Sequence, residues 1–287
     1  MTNLTVYKSN KVIEAAYKLS TNEQKIILFC IAKNDSKQPL SVETLFEVSA
    51  KEFSELVGVD IDHAYKALKE VADNLFGRYV VINNPDESNP KIKQIKTRWI
   101  SSIAYMTDNG VLAVRFAYDM LPYLSELKNQ FTKYELKHVG GMTSTYGIRL
   151  YELLSQYRNF GRRDIEIEWL KSHFEIADSY KSIADFKKYV IKPAVENVNK
   201  HSDLEIHTPI IYKKTGRNVT GIVFDFKEKP KVKSANAVKK KSQLPKQVIK
   251  ENDFEHYANL RKQFGDKLPV NAIPIEIIEQ LKQLGRW

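Results

Sequence analysis

The sequence predicts an α+β protein built from two tandem copies of one unit, with a basic linker and a small helical tail behind them. Three observations predict it. The order helix, short strand, helix, turn, helix, hairpin reads twice before residue 228, and helix-capping residues open both copies. A lysine-rich stretch without acids then follows the second copy.

In the first copy, Ser20-Thr21-Asn22-Glu23 forms a capping box ahead of the apolar run Ile26 to Phe29, so a buried helix starts here and ends near Asn34 and Asp35. A short strand, Leu45 to Val48, leads to Ser49 as the N-cap of a brief helix that turns Phe53, Leu56 and Val57 inward and closes at Gly58. Asp62 is the expected cap of a longer helix with Ala64, Leu68, Val71, Ala72 and Leu75 at helical spacing, ending at Gly77. Strands at Tyr79 to Asn83 and Ile95 to Tyr105 follow, and Asp108-Asn109-Gly110 turns the chain into Val111 to Phe116.

The second copy opens at Ser144-Thr145 with a helix from Tyr146 to Asn159. Its Leu150, Tyr151, Leu154 and Tyr157 form one face, and Arg149, Glu152 and Gln156 form the other. A strand from Asp164 to Glu168, a helix from Trp169 to Phe174, a turn at Ala177-Asp178-Ser179 and a long helix from about Ser182 to His201 follow. Leu204 to Lys213 and Val219 to Lys227 close as a hairpin around Thr215-Gly216-Arg217-Asn218. This order is that of a winged helix, a helix-turn-helix with a β-hairpin appended, the plain alternative being another small α+β domain with the same order of elements. The divisions are a first winged helix over 1–135, a linker over 136–143, a second winged helix over 144–228, a lysine-rich linker over 229–250 and a helical tail over 251–287.

A chain of 287 residues is long enough for two full cores, since single cores stop growing near roughly 250 residues. No apolar run approaches the roughly 20 residues that span a bilayer, and the start lacks a signal-peptide pattern, so the expected location is the cytoplasm, with no membrane partner. The lone Cys30 lies in an apolar run and reads as a small core hydrophobe rather than a metal ligand. The net charge of +10 suggests a polyanion, yet seven lysines between Pro230 and Lys250 account for most of it. That segment serves either as a generic phosphate binder or as a self-repelling spacer.

Sequence reading of DNA belongs to the second helix of each helix-turn-helix, which enters the major groove. In the second copy this helix starts at Lys181 and Ser182. Ile183, Phe186, Val190, Ala194 and Val198 share the core stripe, while Asp185, Lys188, Lys192 and Asn199 face away, offering cations to phosphate or guanine and a carboxylate to cytosine; a solvated helix face is the plain alternative. Pro193 in mid-helix costs about 3 kcal/mol through its missing N–H and the clash of its ring, so a kink is expected there. The hairpin tip places Lys213, Lys214 and Arg217 beside Asn218, where a wing meets phosphates. Arg158, Arg162 and Arg163 are either a phosphate clamp or a complement to a helix C-terminus. In the first copy Lys66, Lys69 and Arg78 are the corresponding cations, on a face of more mixed charge.

Catalytic signatures are missing where they would be recognised. Gly216 to Gly221 has the spacing of a phosphate loop, but Ile222-Val223 stands where Lys-Ser/Thr is required. The six histidines include no His-x-His or His-Glu-x-x-His, and no Gly-x-Ser-x-Gly occurs, so neither a metal, a cofactor nor catalysis is expected. A nicking tyrosine is the remaining enzymatic alternative.

The segments Thr145-Tyr146-Gly147-Ile148-Arg149-Leu150-Tyr151-Glu152-Leu153-Leu154 and Phe186 through Asn199, with the opening Lys8-Ser9-Asn10-Lys11-Val12-Ile13-Glu14-Ala15, resemble the Rep initiator proteins of theta-replicating, iteron-containing plasmids. The resemblance spans roughly residues 3–227. It implies a non-enzymatic initiator whose second domain binds directly repeated origin iterons in double-stranded DNA. It further implies backbone contacts and a dimer interface in the first domain, dimers that repress an operator at the protein's own promoter, and recruitment of host initiator and replicative helicase. The alternative is a dimeric winged-helix transcriptional repressor. The tail, with Phe254, Tyr257, Leu260 and Phe264, reads as a partner-binding helix or as an appendage without a role.

Overall fold

The computed structural model describes residues 4–34, 38–86, 89–106, 110–125, 127 and 130–230. The chain through Pro230 forms one compact unit. Most of the lysine-rich linker and the whole helical tail (231–287), and the first two residues of the Asp108-Asn109-Gly110 turn, lie outside the described residues.

The first winged helix begins with β1 (Thr5–Ser9), α1 (Asn10–Ile13), β2 (Ala16–Tyr17) and α2 (Thr21–Lys33). The capping box of α2 forms as expected: Ser20 Oγ accepts from the Glu23 amide at 3.2 Å, and Glu23 returns a carboxylate to the Ser20 amide at 2.6 Å. Cys30 is fully buried in α2, and burial pushes its thiol up to about 12, which keeps it protonated and unreactive. β3 (Phe46–Ser49) leads into α3 (Ala50–Val57), closed by Gly58 in the left-handed conformation at φ 72°. The cap of α4 (Ile61–Asn74) is Asp60, two residues before the expected Asp62; its carboxylate accepts the His63 amide at 2.9 Å and leaves Asp62 in the first turn.

β4 (Tyr79–Asn83) starts where expected, but the long strand expected over 95–105 divides into β5 (Gln94–Arg98) and β6 (Ile100–Met106). The break is Trp99, whose indole is fully buried and meets Tyr17 edge-on at 4.9 Å, so the chain passes from one sheet to another at that point. β5 pairs with β4 in the sheet β2-β4-β5, whereas β6 joins β7 (Val111–Phe116) in β3-β7-β6. Before β7, Gly110 sits at φ 56°, and a Cβ there would fall 1.8 Å from the Tyr65 ring.

β8 (Phe131–Glu135) returns to pair antiparallel with β1, Thr5 opposite Glu135, which ties the start of the chain to the end of the first unit. The segment expected as a linker is packed: it contains α5 (Lys137–Gly140) and buries Val139 and Met142 completely.

The second winged helix consists of α6 (Thr145–Ser155), β9 (Arg162–Glu166), α7 (Ile167–His173), α8 (Ile183–Phe186), α9 (Lys192–His201), β10 (Leu204–Ile206), β11 (Ile211–Thr215) and β12 (Asn218–Glu228). β12 pairs with β11, β9 and β10, and the strand expected over 204–213 is divided between β10 and β11 around a cis Thr208-Pro209 bond. The expected kink at Pro193 takes a definite form. Residues Lys187–Ile191 make one turn of π-helix, in which the Lys192 amide reaches back to the Lys187 carbonyl. The wide turn brings Pro193 to the first turn of α9, where a missing N–H is harmless.

The polar face expected on α6 is not a solvent face. Arg149 is 2% and Glu152 1% exposed, because the first unit covers them. Lys8 Nζ lies 2.9 Å from Glu152 Oε1 and 3.0 Å from the Tyr17 hydroxyl, while the Tyr134 hydroxyl donates to Glu152 at 2.7 Å. Arg149 stacks 3.3 Å from the Tyr17 ring and donates to the Ala15 carbonyl at 2.7 Å and to the His173 carbonyl at 3.2 Å. Burial, with Arg149 beside it, holds the His173 imidazole well below its ordinary pKa, so the ring is neutral and stacks on Trp169 at 4.8 Å. Buried charges of this kind join the two winged helices through α6, although Arg149 is held through Nη2 alone and its Nε and Nη1 have no hydrogen-bond partner.

Candidate nucleic-acid interface

The two segments that carry the family resemblance meet each other. Asn197 of α9 accepts the amides of Thr143 and Ser144 at 2.7 and 3.0 Å, positioning the N-cap of α6, and a Cβ on Gly147 would stand 2.8 Å from the Asn197 Cβ. This close crossing fixes α9 against the N-terminus of α6. Phe186, Val190, Ala194 and Val198 are buried as the spacing predicts, Ile191 and Val195 join them because the π turn shifts the register, and Ile183, expected on the same stripe, is only partly buried.

The opposite face stands in solvent. Lys181, Ser182, Asp185, Lys188 and Lys192 are exposed, and so are Lys213, Lys214, Arg217 and Asn218 on the hairpin β11–β12. Ser182 doubles as the N-cap of α8, accepting the Ala184 amide at 3.2 Å. Gly216 forms the hairpin tip at φ 61°. Lys187 lies over the Tyr212 ring at 3.7 Å and so ties the helix to the hairpin. Between the start of α8 and the hairpin runs an open groove of about 1000 Å³, walled by Lys181 and Ile183 on one side and Lys213 and Arg217 on the other.

Four residues expected at the interface have folding contacts instead. Asn199 is turned inward: its Oδ1 accepts the Ile206 amide at 2.6 Å and its Nδ2 donates to the Ile206 carbonyl at 3.0 Å, completing the edge of β10. Arg158 lies between Asp203, at 2.6 Å, and Glu228, at 2.8 Å; burial opposes its charge, but the carboxylates raise its pKa above the ordinary value. Arg163 is 6% exposed and donates to the Leu153 carbonyl at 2.6 Å and to Glu14 at 3.1 Å. Arg78 pairs with the buried Glu23 at 2.8 Å. A cation already neutralised and covered by protein carboxylates has little left to offer a phosphate. Of the arginine cluster only Arg162 is exposed, paired with Asp225 at 3.1 Å on β9.

In the first winged helix Lys66 and Lys69 are exposed on α4, as expected. Sequence reading missed its basic hairpin: Lys91, Lys93, Lys96 and Arg98 are exposed along and before β5, with Lys96 over Tyr79 at 3.8 Å and Arg98 over Phe76 at 4.6 Å. The signal was available in the cations at 91, 93, 96 and 98. Only the pairing of β5 with β4 brings them together on one hairpin. Tyr189, 51% exposed with Lys188 over its ring at 4.7 Å, was likewise overlooked on the outer face of the helix.

Among the described residues no group of three or more His, Cys, Asp or Glu is arranged to hold a metal ion, and no helix is long and apolar enough to cross a membrane. Two winged helices joined by a buried polar cluster, each presenting cations on a helix and a hairpin, define a tandem winged-helix protein. The family follows from two matches. The family model described as "Initiator Replication protein, WH1" covers residues 5–155, and "Initiator Rep protein, WH2" covers residues 166–226. The chain belongs to the initiator replication protein family.

The chain is also similar to named relatives and to a solved structure. A "Replication initiation protein" of Escherichia coli is 24% identical over 94% of this chain and 78% of its own length. The "PI protein" of Escherichia coli is 24% identical over 76% of this chain and 80% of its own. A crystal structure described as Pi initiator protein in complex with iteron DNA superposes with a TM-score of 0.66 at 23% identity, over 79% of this chain and 98% of that one, and shares its fold.

Proposed function

We propose that the protein is a non-enzymatic, cytoplasmic plasmid replication initiator that binds directly repeated iterons in its origin and promotes opening of the duplex there. The observation that carries this reading is the solvent face of the second winged helix: Asp185, Lys188 and Lys192 on the helix are flanked by Lys214 and Arg217 on the hairpin, with no fold contact that removes them. The solved relative named for its complex with iteron DNA supports the choice of ligand. Lys192 approaches Glu196 only at 4.0 Å, with both side chains exposed, so a phosphate can displace that pair.

The first winged helix adds backbone contacts through Lys66, Lys69 and its basic hairpin, and in a second state it forms the dimer that represses an operator at the protein's own promoter. Host initiator and replicative helicase then join the opened origin.

The test is binding of the Lys188→Ala/Lys192→Ala variant to duplexes carrying the direct repeats beside the gene. Loss of specific binding and a shallower salt dependence, with unchanged circular dichroism, are expected. Wild-type affinity in that variant would overturn the assignment of the reading helix. Deleting the gene from a small plasmid that carries those repeats must abolish replication; replication without it would leave only a repressor.

A further inference from the structure

The groove between the reading helix and the hairpin is not a basic trough. Lys171, Lys181, Lys213 and Arg217 line it, but so do Asp164, Glu166 and Glu168. Side chains alternate along a strand, so Asp164 and Glu166 project from the same face of β9, the face toward which Lys213 reaches from β11. Lys213 crosses Gly221 on the intervening β12, its Cβ 3.5 Å from where a Gly221 side chain would begin, and its ammonium is bound by the Asp164 carboxylate. Lys213 and Asp164 remain 54% and 46% exposed, so fold stability does not require the pair. Glu168 has an ordinary reason to be there, at the first turn of α7 and 3.4 Å from Lys171. Asp164 has no such reason, and Glu166, at the N-cap position of α7, makes no capping hydrogen bond with its side chain.

We propose that Asp164 and Glu166 are specificity-determining residues that suppress binding to unrelated DNA. The inference rests on the second winged helix docking on duplex DNA through this face. Non-specific affinity comes from cations that release counterions from phosphates. In the free protein Asp164 occupies Lys213, so a phosphate gains that contact only by displacing a carboxylate and leaving it beside the DNA. Base contacts fix the docked geometry on the protein's own repeats, with Lys213 left on Asp164, whereas an unrelated duplex binds through phosphates alone and loses the masked lysine's contact, so the ratio between the two affinities rises.

The experiment measures the salt dependence of binding to a random-sequence duplex and to the protein's own repeats, for wild type, Asp164→Asn, Asp164→Asn/Glu166→Gln, Lys213→Gln and Asp164→Asn/Lys213→Gln. Freeing one lysine for one phosphate should steepen the non-specific slope by about 0.9 and strengthen non-specific binding about fivefold near 0.15 M salt. Binding to the repeats should rise less, and the added Lys213→Gln change should cancel the gain. An unchanged non-specific slope in both carboxylate variants would overturn the proposal, as would a gain that survives removal of Lys213. A wild-type protein with no preference for its own repeats would instead overturn the reading of this face, while the random-duplex slopes still decide whether the carboxylates mask the lysine.

Discussion

Lys8 of β1 and Glu152 of α6 form an ion pair at 2.9 Å in which both side chains are 1% exposed. The two residues are 144 positions apart, and burial lowers the Lys8 pKa while Glu152 opposes that shift. Removing one partner leaves the other charge without compensation in the interior, which costs about 3–5 kcal/mol. Lys8→Met should therefore destabilise the protein by roughly that amount in urea denaturation. Lys8→Met combined with Glu152→Gln should cost less than Lys8→Met alone, because no buried carboxylate is left unpaired. Additive losses would show that the pair is not coupled.

His173 gives the fold a defined response to acid. Its pKa in the folded state is well below 6.5, with burial the main cause and Arg149 the second, so the unfolded chain binds a proton more readily. The sign follows: this contribution is complete above about pH 6.5 and is lost progressively as pH falls below it. Thermal midpoints measured from pH 7.5 to 5 should fall, and His173→Phe should flatten the part of the decline that begins near 6.5. An equally steep decline in that variant would assign the acid response elsewhere.

Asn197 and its acceptor oxygen set the N-terminus of α6. Asn197→Ala should lose about 1–3 kcal/mol, since two amides lose their acceptor while the Cβ packed on Gly147 remains. Asn197→Asp keeps the acceptor and should recover most of the loss. Equal stability of the two variants would remove the capping role.

Asn199 and Arg217 separate fold from binding. Asn199→Ala should reduce stability by about 1–2 kcal/mol, through the two bonds to Ile206, and leave the salt dependence of DNA binding unchanged. Arg217→Gln should leave stability unchanged and lower the salt slope by about 0.9 if it contacts one phosphate. Reversal of the two phenotypes would exchange the assignments.

Local signals were well read where they act through near neighbours. The capping box at Ser20, the left-handed Gly58 and the hairpin tip at Gly216 all form because their geometry depends on only a few adjacent residues. Readings that needed the other half of the molecule failed. Arg149 and Glu152 look like a solvent face until β1 and β2 cover them, and Trp99 looks like mid-strand until its burial against Tyr17 divides the strand. On the reading helix, amphipathic spacing placed Lys188 and Lys192 on the solvent face, because helix periodicity separates core from solvent. It could not show that Asn199, on the same side of that wheel, is captured by β10, nor that Arg158 and Arg163 are neutralised by residues distant in sequence.

If both winged helices dock on one duplex, as proposed above, the buried contacts around α6 also set how distance along it is measured. Helices joined by a supple tether can accommodate variable gaps in a target, whereas Lys8, Glu152, Arg149 and His173 clasp the two heads into a calliper of one setting. A calliper of this kind penalises an inserted base pair twice, once for the added length and once for rotating one contact surface out of phase on a helix that repeats about every 10.5 base pairs.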